Sequence, residues 1–211
     1  MRAPELAVDA PPMQSGDVDA KTLPSFVYGH RSTMWWGTVG VAAIEGTVFA
    51  LAIMVYFYVR TRVTVWPPEA PPPDMLWGTV NTVVLLLSLI PNHFTKKAAE
   101  RRDLHAVRVG MMICIAFAFV FLFVRALEFM MLNVRWDTNA YGSAVWFLLG
   151  LHTTHLLTDW FDTVVLAVLM FTGPIEGRRF VDVSENAMYW NFVVAAWLPI
   201  YAVIYLAPRL L

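Results

Sequence analysis

Residues 107–132 read VRVGMMICIAFAFVFLFVRALEFMML, from Val107 to Leu132. No side chain between Val109 and Val124 carries a charge. Coiled as a helix rising 1.5 Å per residue, the stretch crosses a hydrocarbon layer about 30 Å thick. It is apolar all the way round, with no polar face for water, so its natural surroundings are lipid or the middle of a helical bundle.

Other runs of the same kind lie on either side. One extends from about Trp35 to Val59, with Trp36 at its start and Tyr56 and Tyr58 at its end, residues suited to the headgroup interface. The Trp66-Pro67-Pro68 turn ends any continuation, because proline lacks an amide donor and restricts the residue before it. After a proline-rich loop over Glu69 to Asp74, a second span covers roughly Met75 to Ile90, stops near Pro91 and is the shortest. The run over 107–132 is third, a fourth spans about Ser143 to Phe171, and a fifth about Ala187 to Leu206. The expected fold is all-α, a polytopic transmembrane bundle of about five helices over residues 34–211, behind a disordered cytoplasmic tail over residues 1–33. That tail holds Pro4, Pro11, Pro12, Asp9, Asp17 and Asp19 without the apolar core of a signal peptide.

Composition agrees: 58% hydrophobic and 15% charged residues lie outside the soluble mixture. A net charge of −1 argues against a nucleic-acid partner. The single cysteine, Cys114, permits no intrachain disulfide and no paired-thiolate copper site. Basic residues set the orientation. Lys96, Lys97, Arg101, Arg102 and Arg108 in the second loop, with Arg178 and Arg179 in the fourth, face the cytoplasm, which places the N-terminus inside. Arg60, Arg62, Arg135 and Arg209 remain on the opposite side.

Ionisable residues inside spans are costly in lipid and normally face the bundle interior. Glu45 lies near the middle of the first helix with no local partner, while Arg125 and Glu128, three apart, can pair along one face of the third. On the fourth, His152, His155, Asp159 and Asp162 follow at spacings of three, four and three, forming one stripe. Such a stripe suits either a polar seam that fixes helix packing or a metal or proton site. The only membrane-embedded histidines share one helix and cannot ligate a haem from two sides, and no nucleotide loop, triad order or HExxH pattern is present. The chain itself therefore supplies no recognisable redox or catalytic centre.

Taken together, the five helices resemble subunit III of the haem-copper cytochrome c oxidases in its five-helix form. The likeness is carried by Trp35-Trp36, Glu45, Phe49, Tyr56-Phe57 and Arg60, then by Trp66-Pro67-Pro68 and by Asn81-Thr82, Leu85-Leu86 and Ser88. It continues through Arg125-Ala126-Leu127-Glu128-Phe129, Gly150-Leu151-His152 with His155, and Tyr189-Trp190, Phe192, Trp197 and Tyr205. The chain departs from that pattern at Asn191, where histidine is usual, at Val194 for aspartate and at Arg125 for glutamine. Thr153 and Asp159 stand where the family has glycine, so its hydrogen-bond pattern between the last two helices does not carry over.

The resemblance implies an accessory, non-redox subunit of a terminal oxidase in aerobic respiratory electron transport, embedded in a bacterial plasma membrane. Its partners would be oxidase subunits I and II. Haem and copper would lie in those partners, with no metal or cofactor in this chain. The implied roles are stabilising the catalytic subunit, supporting proton uptake and binding phospholipid. Glu45, Glu128, His152, His155, Asp159 and Asp162 are then the structural or proton-linked polar residues, and Arg60 and Arg125 the lipid-phosphate contacts. Two other readings stand beside this one: a subunit-III-like protein that accompanies nitric oxide reductase, and a self-contained membrane metalloprotein using the stripe on the fourth helix.

Overall fold

A computed structural model describes residues 28–68 and 70–210, and every described element is helical or turn. Five helices are long and apolar enough to cross a membrane: α1 (Thr33–Arg60), α2 (Met75–Glu100), α3 (Leu104–Met130), α4 (Ala140–Thr172) and α5 (Gly177–Tyr201). A π-helical segment, Ala202–Leu206, and a last turn, α6 (Ala207–Leu210), continue α5. Of the tail expected over 1–33, the first 27 residues lie outside the described ones. Gly29–Arg31 form a short 3-10 turn, and the Tyr28 hydroxyl donates to the Ala99 carbonyl at the end of α2.

Each of the first four helices starts where a side chain takes up a free backbone amide. Ser32 accepts from Met34 N, Asp74 from Leu76 N, Asp103 from Ala106 N and Asn139 from Gly142 N. Between α2 and α3 the chain turns in three residues. Arg102, in the left-handed region at φ 58°, donates its amide to the Ala99 carbonyl, and the Asp103 amide donates to that of Ala98. These two bonds satisfy carbonyls that the helix end leaves open.

Two boundaries differ from the sequence reading. Helix α2 does not stop at Pro91 but runs on to Glu100, so it is not the short member, and Lys96 and Lys97 belong to its last turns rather than to a loop. Proline removes one amide from the ladder, which a spanning helix tolerates when its neighbours hold it. Here the Asn92 side chain donates to the Ala187 carbonyl of α5, and Ala98 and Ala99 are buried against Val107 and Met111 of α3. Helix α5 begins at Gly177, ten residues before Ala187. The charges of Arg178, Arg179, Asp182 and Glu185 mask an apolar face on which Phe180, Val181 and Val183 are buried.

Helix α5 packs on α1, α2 and α4; α3 bridges α2 and α4. The surface is inverted relative to a water-soluble protein. Ile44, Phe94, Phe123 and Phe161 are exposed, while Arg125, Glu128 and His152 are buried. At the end of the bundle opposite the α2–α3 turn, Trp66 donates to Tyr56 Oη at 3.0 Å and meets the Tyr141 ring edge-on. Arg209 joins that end to the proline-rich loop, donating to the Tyr205 and Pro73 carbonyls.

Candidate functional site

Glu128, on α3, is the focus of a buried polar centre. Its carboxylate accepts from Asn81 of α2, from the Tyr205 hydroxyl, and from Arg125 Nη1 at 2.8 Å. Tyr205 lies in the π-helical segment that follows Pro199. It fits because Gly78 faces it: a Cβ there would stand 2.5 Å from the ring. The Arg125 guanidinium is stacked between the rings of Phe121 and Trp197, 4.9 and 4.1 Å from their centroids, where aromatic faces stabilise a desolvated cation. Its Nη2 lies 3.4 Å from Nδ1 of His152, whose Nε2 is 3.1 Å from the Val193 carbonyl. A carbonyl and a guanidinium have fixed roles, so His152 is neutral, with its proton on Nε2 and its Nδ1 accepting. Trp197 in turn donates to Thr82 Oγ1, which ties α5 to α2.

A second centre lies at the α1/α4/α5 junction. The Tyr189 hydroxyl donates to Glu45 Oε2 at 2.6 Å, and His155 Nε2 stands 3.5 Å from Glu45 Oε1. His155 Nδ1 is 2.7 Å from the Leu151 carbonyl, which can only accept, so Nδ1 carries a proton. Phe49 divides this pair from the first centre, its ring 4.8 Å from His155 and 6.1 Å from His152.

The four-residue stripe on α4 does not converge on one point. At about 100° per residue, His152 and Asp159 lie within about 20° of each other, and His155 and Asp162 form a parallel column about 60° away. His152 and Asp159 are buried, His155 is partly covered, and Asp162 is exposed. Each residue therefore meets a different set of neighbours. Among the described residues, no group of three or more His, Cys, Asp or Glu could hold a metal ion, so the metalloprotein reading of the stripe is not supported.

Glu45, assigned no local partner from the sequence, has two from other helices. Arg125 and Glu128 do pair at the i, i+3 spacing, but inside the bundle. With Arg125 1% exposed, no lipid phosphate can reach its guanidinium, so the lipid-contact assignment fails there. Arg60 lies at the end of α1, where its Nη1 donates to the Val63 carbonyl. Of the departures, Asn191 accepts from Asn92 of α2 at 3.0 Å, and Val194 is buried with the apolar core. Asn81, Tyr189 and Tyr205 complete the two centres without having been singled out as site residues. A signal existed for Asn81, an amide within an apolar span. For Tyr205 the signal was its place in the resemblance to subunit III, with its spacing of four residues from Tyr201 and eight from Trp197.

A model of the family described as cytochrome c oxidase subunit III matches residues 64–208. The chain is 25% identical over 206 residues to "Cytochrome c oxidase subunit 3" of Synechocystis sp., covering 92% of this chain and 88% of that protein. It is 29% identical over 177 residues to "Probable cytochrome c oxidase subunit 3" of Mycobacterium tuberculosis, covering 80% and 85%. It is also 24% identical over 207 residues to "Heme-copper oxidase subunit I+III" of Aeropyrum pernix, covering 90% of this chain and 25% of that longer protein.

Proposed function

The chain belongs to the cytochrome c oxidase subunit III family, a multi-pass membrane subunit of a haem-copper oxidase, and on that premise we propose that it is the accessory, non-redox subunit of an aerobic terminal oxidase. It packs beside the catalytic subunit, stabilises it during turnover and supports proton uptake. Haem and copper belong to the partner subunits I and II. The observation that carries this reading is the family match over residues 64–208. The Aeropyrum relative, whose name joins subunits I and III in one polypeptide, supports subunit I as a direct neighbour.

The two polar centres divide the work. Helices in lipid gain little from burying apolar surface on one another, so hydrogen bonds between them weigh more, typically about 0.6 kcal/mol each. The Glu128 centre links α2, α3, α4 and the π-helical segment and fixes the shape of the face presented to the partner. The Glu45–His155 pair, at a partly open edge and at ion-pair distance, is the group suited to a proton-linked role. Arg60 is the remaining candidate for a phospholipid phosphate. The basic residues at the α2–α3 and α4–α5 ends face the inner side of a bacterial plasma membrane.

Purification of the tagged chain in mild detergent tests the assignment. Haem-bearing partners should accompany it in near-stoichiometric amount, visible in the absorption spectrum. A chain that is stable and monomeric in cells lacking any oxidase would remove the proposal. His155→Leu should lower the yield of assembled complex more than the turnover of each complex that does assemble. Normal yield with abolished oxygen reduction would contradict the accessory role.

A further inference from the structure

Asp159 belongs to neither centre. It is 3% exposed, and its Oδ1 is buried without a hydrogen-bond partner. It lines a small cavity between α2, α3, α4 and α5, with about 20 Å³ open to a water-sized sphere, room for one water or an ion of similar size. On its other side Asp159 lines a groove of about 960 Å³ formed by α1, α4 and α5, open at the bundle surface. It is therefore the wall between an interior cavity and an open groove.

The hydrogens of the cavity's polar groups are largely committed elsewhere. Ser88 donates to the Leu85 carbonyl and also accepts from Trp190; Thr95 donates to the Pro91 carbonyl. The Asn92 amide donates to Ala187 O and Asn191 Oδ1, and that of Asn186 to Thr163 Oγ1. What remains toward a guest is mostly oxygen that accepts: hydroxyl lone pairs, amide carbonyls and one carboxyl. No Lys, Arg or His lines the cavity, and its other titratable group is Cys114 of α3. The groove adds Asp162 of α4 and Asp182 and Glu185 of α5 against the guanidinium of Arg178, and Arg179 pairs with Asp182 at 3.8 Å; α1 contributes no ionisable side chain to its lining.

A carboxyl this deeply buried is stable only as the acid or with a cation beside it, and a neutral water alone supplies neither. Hard oxygen donors around a single carboxylate suit one positive charge rather than two, because one carboxylate cannot balance a divalent ion in a low dielectric. We propose that the buried charge of Asp159 is balanced by one small monovalent cation admitted through the α1/α4/α5 groove, either Na⁺ held in the cavity or a proton on the Asp159 carboxyl itself, hydrogen-bonded to a single water there. The assignment does not depend on the accessory-subunit reading, since it concerns this chain's residues alone. Nor does it follow from the family pattern, which has glycine where this chain has Asp159.

The test is infrared difference spectroscopy on the full-length chain, purified with whatever subunits accompany it, in NaCl or choline chloride at equal ionic strength. Wild type, Asp159→Asn and Thr163→Val are compared. With Na⁺ as the guest, an ionised carboxylate band that Asp159→Asn lacks shifts saturably as Na⁺ is added, and Thr163→Val raises the half-saturating concentration about tenfold. With a proton as the guest, the missing band is a protonated carbonyl that shifts in heavy water, ignores Na⁺, and moves in Thr163→Val. An ionised band indifferent to both Na⁺ and pH would overturn the proposal, as would wild-type spectra identical to those of Asp159→Asn. If Asp159→Asn does not fold, Thr163→Val decides, since a variant without effect on either band overturns the assignment equally.

Discussion

Two polar centres divided by the ring of Phe49 are built on opposite plans. Around Glu128 every strong partner is internal: a guanidinium, an amide and a phenol reach one carboxylate, aromatic rings cover the cation, and the next histidine is neutral by the geometry of its hydrogen bonds. Around Glu45 the carboxylate stands at a helix junction that is partly open, with one firm donor in Tyr189 and a histidine at ion-pair distance. The first arrangement balances its charges by itself. The second leaves its carboxylate at a partly open edge, so similar residue types give a closed joint in one place and an open pair in the other.

The largest expected effect comes from unbalancing the closed centre. Glu128→Ala leaves Arg125 buried without a counter-charge, which should destabilise the chain by roughly 3–5 kcal/mol, read from unfolding in mixed detergent micelles. Converting both partners to apolar residues, Arg125→Met with Glu128→Leu, should recover most of that loss, because no charge is then left buried. A single variant that loses less than about 1 kcal/mol would show that the centre is not the joint described here. Next in size is Gly78→Ala, whose new Cβ would stand 2.5 Å from the buried Tyr205 ring. Displacing that ring pulls its hydroxyl from Glu128, at a cost of about 1–3 kcal/mol. Gly40→Ala on α1 is the control. Nothing lies within 4 Å of its would-be Cβ, and replacing a mid-helix glycine there should leave stability unchanged or raise it by up to about 1 kcal/mol.

The closed centre was also the more legible of the two from sequence. Arg125 and Glu128 are three apart on one helix, so their pairing is a local matter. Glu45 meets Tyr189 and His155 only through tertiary packing, and no spacing along the chain encodes that. The stripe on α4 was legible as a pattern but not as two columns, because treating a three-four-three spacing as one face ignores the roughly 40–60° between successive members. The centres of the spans follow from hydropathy, whereas two of the ends do not. Pro91 stops a helix when the chain is read by itself, yet here α3 and α5 hold α2 on both sides of it. The start of α5 alternates charge with buried phenylalanine and valine, which averaging over a window erases.

The open pair gives a smaller and more specific effect. Tyr189→Phe removes the one firm donor to Glu45 and should cost about 0.6 kcal/mol, well below the loss at Glu128. On the proton-linked reading proposed above, its consequence should appear instead in the pH profile of proton uptake by the assembled complex, because the phenol no longer donates to the Glu45 carboxylate. A loss of stability as large as that of Glu128→Ala, with an unchanged pH profile, would mean that the two centres are alike.

Smallest of all is the exposed pair in the α3–α4 loop, where Arg135 donates two hydrogen bonds to Asp137 at 3.1 Å. Those bonds hold the Asp137 carboxyl below its ordinary range. A carboxyl whose folded value is depressed contributes stability that is complete above its unfolded value and disappears as pH falls through the folded one. The direction is therefore fixed: any contribution fades toward acid and never toward base. Because both partners lie in water, where such a pair is screened and its side chains must be ordered to meet, Asp137→Asn should leave the thermal midpoint unchanged at neutral pH. A clear fall in that midpoint, abolished by high salt, would show that this loop contributes to stability on a par with the buried centres, and the contrast between closed and open sites would then have to be drawn elsewhere.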